Sequence, residues 1–203
     1  MRVVKESSDE LNPSVVTEAF IAHAPRRRSA RDYLALGIAT CGVGLLPIAP
    51  GTWGSLVGVG LYLVTHAASE RAFNYFAALG FGLPPLVAFQ TTLVLLLLIG
   101  MTIAGVWAAS RCESLLGRKD PGAVVVDEVI GQLITFAFVP YAVGAWAIMV
   151  GFLVFRLFDI WKPYPIRRLE ALESGLGVMA DDVLAGFYAA TTMSLLISIY
   201  LLF

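Results

Sequence analysis

Histidine and cysteine are nearly missing from this chain, with two of each in 203 residues. His23 and His66 are too few for a histidine metal site, and neither falls in a motif, so His66 reads as an interfacial side chain. Cys41 and Cys112 lie in separate segments, which excludes a disulfide framework and a paired-thiolate metal spacing. Charge is scarce too: Asp, Glu, Lys and Arg make up 14% of the residues, where soluble domains carry roughly a quarter. The formal net charge is −1 and no basic block exceeds Arg26–Arg28, so nucleic acid is not an expected partner. Residues 1–32 are polar with no apolar core near the start, and a secretory signal peptide is not expected. Within them, NPSVVTEAFIAHA reads equally as a short amphipathic helix or as a disordered lead-in.

What remains is apolar. Hydrophobic residues are 58% of the chain and the mean hydropathy is +0.79. That composition predicts an all-α, polytopic membrane bundle, with residues 1–32 as a polar N-terminal extension and 33–203 as the membrane-embedded domain. Four apolar regions follow one another: 33–68, 83–109, 123–158 and 183–203. About 20 residues suffice to cross a bilayer. The positive-inside rule then sets an orientation. With the N-terminus, 110–122 and 159–182 in the cytoplasm and 69–82 outside, every Lys and Arg but Arg71 is cytoplasmic. So is every acid but Glu70, although acids contribute little to topology. The acids are therefore expected on that face for another reason.

This orientation makes 123–158 go in and return. Pro140-Tyr141-Ala142-Val143-Gly144 is the expected turn of a re-entrant or short helical hairpin. Each arm, at about 20 Å of helix, is shorter than the ~30 Å hydrocarbon core. The competing reading is one long helix kinked at Pro140, which would put Asp127 and Asp159 on opposite sides of the membrane.

Three acidic stretches carry candidate chemistry. In DPGAVVVDEVIGQ, Asp120-Pro121 reads as a helix N-cap with proline at the first helical position, leaving Asp127 and Glu128 about two turns inside. In FRLFDIWKPYPIRR, Arg156 and Asp159 share a helix face and Lys162-Pro163 ends the helix. In GLGVMADDVLAG, Asp181-Asp182 opens the last helix. Each has a bland reading as cap, dipole partner or structural ion pair. Together, however, the topology gathers Asp127, Glu128, Asp159, Asp181 and Asp182 at one face. Five carboxylates converging without a cation repel one another. All-oxygen ligation favours Mg²⁺, and Arg156, Lys162, Arg167 and Arg168 suit an anionic substrate.

The stretch GLLPIAPGTWGSLVG, residues 44–58, breaks the first apolar region at the same face. Gly51, Thr52, Gly54 and Ser55 are candidate phosphate binders: glycines admit close backbone approach, and a helix N-terminus offers free N–H groups. Equally, Gly54 and Gly58 form a small-xxx-small packing face. Cys112-x5-Arg118 matches a thiolate-phosphatase spacing, but Leu115-Leu116 fill what should be a glycine-containing loop, and an interfacial thiol is the better reading. A non-enzymatic cation-binding or transport bundle is the alternative class. Transport asks for polar groups continuing through the membrane, and the arms beyond Gln132 and before Arg156 offer almost none.

In this order, GVGLLPIAPGTWGS, DPGAVVVDEVIG, FRLFDIWKPYPI and GLGVMADDVLAG resemble the phosphatidylglycerophosphatase A family of bacterial inner-membrane lipid phosphatases, over residues 42–186. The resemblance implies Mg²⁺-dependent removal of the terminal phosphate of phosphatidylglycerophosphate, in a helical bundle around an acidic site, and the topology above places that site at the cytoplasmic leaflet. The family's acidic positions fall on Asp127, Glu128, Asp159, Asp181 and Asp182, and its Lys-Pro on Lys162-Pro163. Two mechanisms stay open. In one, Asp127, Asp159 and a member of the Asp181-Asp182 pair hold Mg²⁺ while Glu128 serves as general base toward water. In the other, an Asp attacks phosphorus.

Overall fold

The computed structural model describes residues 28–140 and 143–203. The possible helix within residues 1–27, and Tyr141-Ala142 of the expected turn, lie outside the described residues. Every regular element among them is helical: α1 (Ala30–Thr40), α2 (Pro50–Ala78), α3 (Leu83–Leu116), α4 (Val126–Phe136), α5 (Ala145–Trp161), α6 (Ile166–Leu169) and α7 (Ser174–Leu202).

The innermost element is also among the shortest. α4 has only 11 residues, about 16 Å of helix, yet ten of them are buried. A helix covered on every side can be apolar all round, and VIGQLITF is nearly that. Glycine lets its neighbours come close. A Cβ placed on Gly131 would meet the Phe155 ring of α5 at 2.5 Å and the Asp182 carbonyl of α7 at 2.7 Å. One placed on Gly151 of α5 would run into the Phe136 ring of α4. Each helix thus presents a glycine to the other's phenylalanine, and the pairing of 131 with 155 and 136 with 151 is that of antiparallel neighbours. The chain enters along α4 and returns along α5. This is the expected hairpin, and the single kinked helix is excluded. Gly144, at φ +87°, caps the start of α5 in a conformation that glycine adopts readily.

The other helices enclose this hairpin. α7 lies against α3, α4, α5 and α6. Gly186 of α7 touches Gly131 backbone to backbone, and Gly175 sits against Val106 and Ser110 of α3, where its N–H donates to Ser110 Oγ at 3.1 Å. A core of small and branched side chains (Ala35, Ala39, Ala108, Ala109, Ile130, Met179) joins α1, α3, α4 and α7. α1 begins three residues before the boundary read at residue 33, because Ser29 and Asp32 form a reciprocal capping box. Asp32 also receives Arg111 of α3, with Nε and Nη2 both 2.7 Å from Oδ1. The backbone N–H of Ser29 and the Arg111 guanidinium hold the Asp32 carboxyl down at about 2.

α3 and α7 are long and apolar enough to cross a membrane. Only 6% of the α3 apolar window is covered by the rest of the protein, so Leu93, Leu96, Ile99 and Ile103 face outward. A core helix of a soluble protein would be mostly covered, whereas an outward apolar face suits lipid. α2 matches α7 in length, but its glycines, Thr65 and His66 dilute its apolar character. It runs on to Ala78, so the segment expected as a connector over 69–82 shrinks to residues 79–82.

Replacing Gly131 with Ala forces Phe155 and the Asp182 backbone apart, and should cost about 1–3 kcal/mol, read as a lower melting temperature of the purified protein in detergent. The Asp32 carboxyl is held below its unfolded value, so its contribution is present above pH 4 and fades as pH falls towards 2. Wild type should therefore melt above Asp32→Asn at pH 6, with most of the gap gone by pH 2; a gap independent of pH would refute the Ser29–Asp32–Arg111 anchor.

Candidate active site

Two helix starts differ from the sequence expectation, and both shift the acids. The helix carrying Asp127 starts at Val126, not at Asp120-Pro121. Asp120 has φ +44°, and its N–H donates to the Glu113 carboxylate at 2.9 Å. Pro121–Val124 form a turn, the Val124 N–H bonding to the Pro121 carbonyl at 2.8 Å, and the buried Val125 bonds through its N–H to the Ala39 carbonyl of α1 at 2.8 Å, so the helix starts only at residue 126. Asp127 and Glu128 therefore occupy the first turn of α4, where the helix dipole favours negative charge. Conversely, Asp181 and Asp182 do not open the last helix. α7 begins at Ser174, because Gly175 and Gly177 let its first turn pack on neighbouring backbone, and the pair lies two turns inside.

These elements meet in a cleft of ≈ 550 Å³ whose lining includes Asp127, Glu128, Asp159, Lys162, Asp181 and Asp182. All five acids expected together are brought together. Their environments differ. At one flank, Asp181 Oδ2 lies 2.7 Å from Lys162 Nζ, which also reaches Glu170 Oε1 at 2.6 Å. Burial pulls the Lys162 pKa down, but the hydrogen bonds to Asp181 and Glu170 outweigh it and hold the ammonium above the ordinary lysine value. At the other flank, Arg156 Nη1 lies 2.6 Å from Asp159 Oδ2. The expected i, i+3 pair thus forms, with Arg156 behind Asp159 rather than on the cleft lining.

Between the flanks stand Asp127, Glu128 and Asp182, which can each offer an oxygen within 4.8 Å of the other two. Asp127 Oδ1 and Glu128 Oε2 are buried without a hydrogen-bond partner. Buried polar atoms are normally satisfied, so orphaned oxygens converging from two residues mark where a cation would complete the site. The donors are hard oxygens alone, a set suited to a divalent cation of the Mg²⁺ or Ca²⁺ type. Gln132, one turn further along α4, is fully buried with both amide atoms unpartnered.

The Gly51–Ser55 stretch reaches this region through packing. Gly51 abuts the Glu128 carboxylate, while Cβ atoms on Gly54 and Gly58 would lie 2.9 Å and 2.8 Å from the Cβ atoms of Val125 and Gln132. Every third or fourth residue of α2 is therefore a seat for α4. Ser55 Oγ donates to the Gly51 carbonyl at 2.9 Å and accepts from Arg156 Nη1 at 3.4 Å, fixing the arginine that holds Asp159. Thr52 is half-buried in the first turn of α2, and its N–H bonds to the Ala49 carbonyl. None of Gly51–Ser55 lines the cleft, although Pro50 just before them does. Sequence reasoning also missed Lys119 and Glu170 on the cleft lining and treated Asp120 as a cap. Lys119 and Asp120 come from the 117–125 loop and Glu170 from the end of α6, and no spacing rule encodes their meeting.

Comparison with known proteins gives a consistent picture. Residues 38–197 match the sequence profile of phosphatidylglycerophosphatase A. A phosphatidylglycerophosphatase A of Haemophilus influenzae is 37% identical over 150 residues, covering 73% of this chain and 78% of its own. One from Escherichia coli K12 is 35% identical over 150 residues, covering 73% and 74%. A Bacteroides thetaiotaomicron protein, provisionally named a phosphatidylinositol-3-phosphatase, is 40% identical over 149 residues, covering 73% and 83%. No solved structure matches the chain.

Since like charges crowd the cleft, Asp182→Asn should stabilise the protein in chelator by about 1 kcal/mol or more, read as a higher melting temperature, and should weaken the upward shift that added Mg²⁺ gives the wild type. Equal melting of the two proteins under both conditions would show that Asp182 carries no unbalanced charge.

Proposed function

The chain belongs to the phosphatidylglycerophosphatase A family, phosphoric monoester hydrolases, and from that premise we propose that it removes the terminal phosphate of phosphatidylglycerophosphate with Mg²⁺ as cofactor. The observation that carries the reading is the pair of orphaned oxygens, Asp127 Oδ1 and Glu128 Oε2, beside Asp182 in a cleft edged by Lys162. Asp127, Glu128 and Asp182 would hold the ion, with Asp159 and Asp181 completing the acidic shell. When bound, Mg²⁺ supplies Lewis acidity toward the phosphoryl oxygens.

The chain's own groups do the rest. Lys162, cationic across the whole physiological range, neutralises phosphate charge at the cleft mouth. Arg156 holds Asp159 in place and adds positive potential behind it. Glu128, through the oxygen not turned to the ion, would take a proton from the attacking water as the water oxygen bonds to phosphorus and the P–O ester bond breaks. Glu128 would then return that proton to the leaving glycerol oxygen. Asp127, Glu128, Asp159 and Asp182 are the residues proposed to act in catalysis. For Gly51, Gly54 and Ser55 the supported role is support of the acid-bearing helix, with Thr52 beside them in the first turn of α2.

The substrate class follows from the relatives. Phosphatidylglycerophosphate and a phosphatidylinositol 3-phosphate share one plan: a phosphodiester next to the diacylglycerol and a phosphomonoester further out. The site lies where the basic residues concentrate, which supports a multi-pass protein of the bacterial inner membrane with residues 33–203 embedded and the cleft at the cytoplasmic leaflet.

Release of inorganic phosphate from phosphatidylglycerophosphate in mixed micelles is expected with Mg²⁺ and lost in EDTA. Lys162→Ala should lower turnover at least about tenfold without unfolding the protein. Metal-independent release, or full activity of Lys162→Ala, would overturn these assignments.

A further inference from the structure

A second polar pocket opens next to the acidic cleft. It measures ≈ 510 Å³ and is lined by Trp161, Lys162, Tyr164, Arg167, Arg168 and two prolines. Lys162 lines both cavities, so the two are neighbours that share one side chain as a wall. Their electrostatics are opposite. The first is walled mainly by carboxylates, whereas no acid lines the second. The Lys162 charge is already engaged by Asp181 and Glu170. Arg167 and Arg168 form no ion pair among the described residues, so the pocket offers two adjacent uncompensated guanidinium groups.

Its wall is ordered although exposed. Tyr164 is 72% exposed, yet Tyr188 Oη of α7 donates to its carbonyl at 3.2 Å and Arg168 Nη1 donates to its hydroxyl at 3.2 Å. The Arg168 guanidinium also stacks 4.8 Å from the Tyr164 ring centre. A long cationic side chain fixed in this way is pre-organised, with little rotamer entropy left to lose on binding. The pocket also has an apolar approach. Met149, Leu153, Leu157 and Ile160 are all more than half exposed, recur at helical spacing along one face of α5, and lead to Trp161. That stripe suits acyl chains, and an aromatic residue at its polar end suits the headgroup level.

We infer that the Trp161–Arg168 pocket binds the phosphodiester of the lipid substrate while the acidic cleft takes the terminal phosphomonoester. The inference rests on the lipid-phosphatase reading above and adds the specificity determinant that reading lacks. A phosphodiester carries one negative charge and two ester arms, and forked guanidinium donors match its two free oxygens. The doubly charged monoester goes to the cleft where a divalent cation would meet it. Lys162 stands at the glycerol bridge between the two phosphates. Acyl chains on the α5 stripe, phosphodiester on Arg167 and Arg168, and monoester at Asp127, Glu128 and Asp182 make one path from lipid to site.

The test uses the full chain in zwitterionic detergent micelles and the double variant Arg167→Gln/Arg168→Gln, both positions being exposed and outside the packed core. Binding is read with phosphatidylglycerol, which has the phosphodiester and no monoester, through the fluorescence change that Trp161→Phe removes. The variant should bind at least about tenfold more weakly. Equal binding by variant and wild type overturns the proposal, as does oleate competing as well as phosphatidylglycerol at equal mole fraction, since oleate supplies surface charge without a phosphodiester. In turnover, KM for phosphatidylglycerophosphate should rise about tenfold with kcat changed less than about twofold. A fall in kcat with KM unchanged would overturn the subsite. Failure of the wild type to release phosphate from any lipid would refute the activity, and the binding arm would then decide the pocket alone.

Discussion

The structure depends on a short helix that must be covered everywhere and yet begins with two carboxylates. Polar groups buried without water or partners are costly, in lipid above all. α4 meets this by ending in a tightly packed apolar turn at Phe136 and beginning in a cleft at Asp127 and Glu128. Covering so short a helix on all sides requires backbone contact. The glycines at 54, 58, 131, 151 and 186 supply it, each accommodating a neighbour where a methyl group would collide. Packing and chemistry are therefore one problem: the contacts that bury α4 also set the carboxylates of α4, α5 and α7 side by side.

Charge within the cleft is arranged by degree of compensation. Asp159 and Asp181, at the flanks, each have a basic partner at 2.6–2.7 Å, Arg156 and Lys162 respectively. Asp127, Glu128 and Asp182, in the middle, form no ion pair among the described residues, and Asp127 and Glu128 each retain an orphaned oxygen. A site optimised for stability alone would pair all five or replace them. Leaving the central three uncompensated favours whatever cation enters, and the paired flanks limit the repulsion. The neighbouring basic pocket reverses the pattern, with arginines left unpaired for an anion.

Much of this was legible in the sequence, and particular residues show why. The hairpin was legible because basic residues cluster on one side of the apolar regions, forcing 123–158 to return. The Arg156–Asp159 pair was legible because i, i+3 spacing on a helix is a local rule. The helix boundaries were less so. Asp120-Pro121 carries a good capping signal, but a turn follows it and the Val125 bond to Ala39, 86 residues away in sequence, delays the helix to residue 126. Gly175 and Gly177 are residues that favour helix ends, yet their lack of side chains is what lets α7 start early, Gly175 against α3 and Gly177 against the Leu172 carbonyl.

The sequence by itself determined the class of the protein: apolar composition, one-sided charge and four acidic or glycine-rich motifs require a helical bundle with carboxylates at one face. These are properties of residue type and short spacing, which survive without coordinates. Tertiary structure alone decided which acids are neutralised and which are left open, that Gly51–Ser55 supports the site mainly by seating α4, and that Lys162 joins an acidic cleft to a basic pocket. Those outcomes depend on side chains from segments far apart in the chain meeting within hydrogen-bond distance, and no local pattern records where they meet.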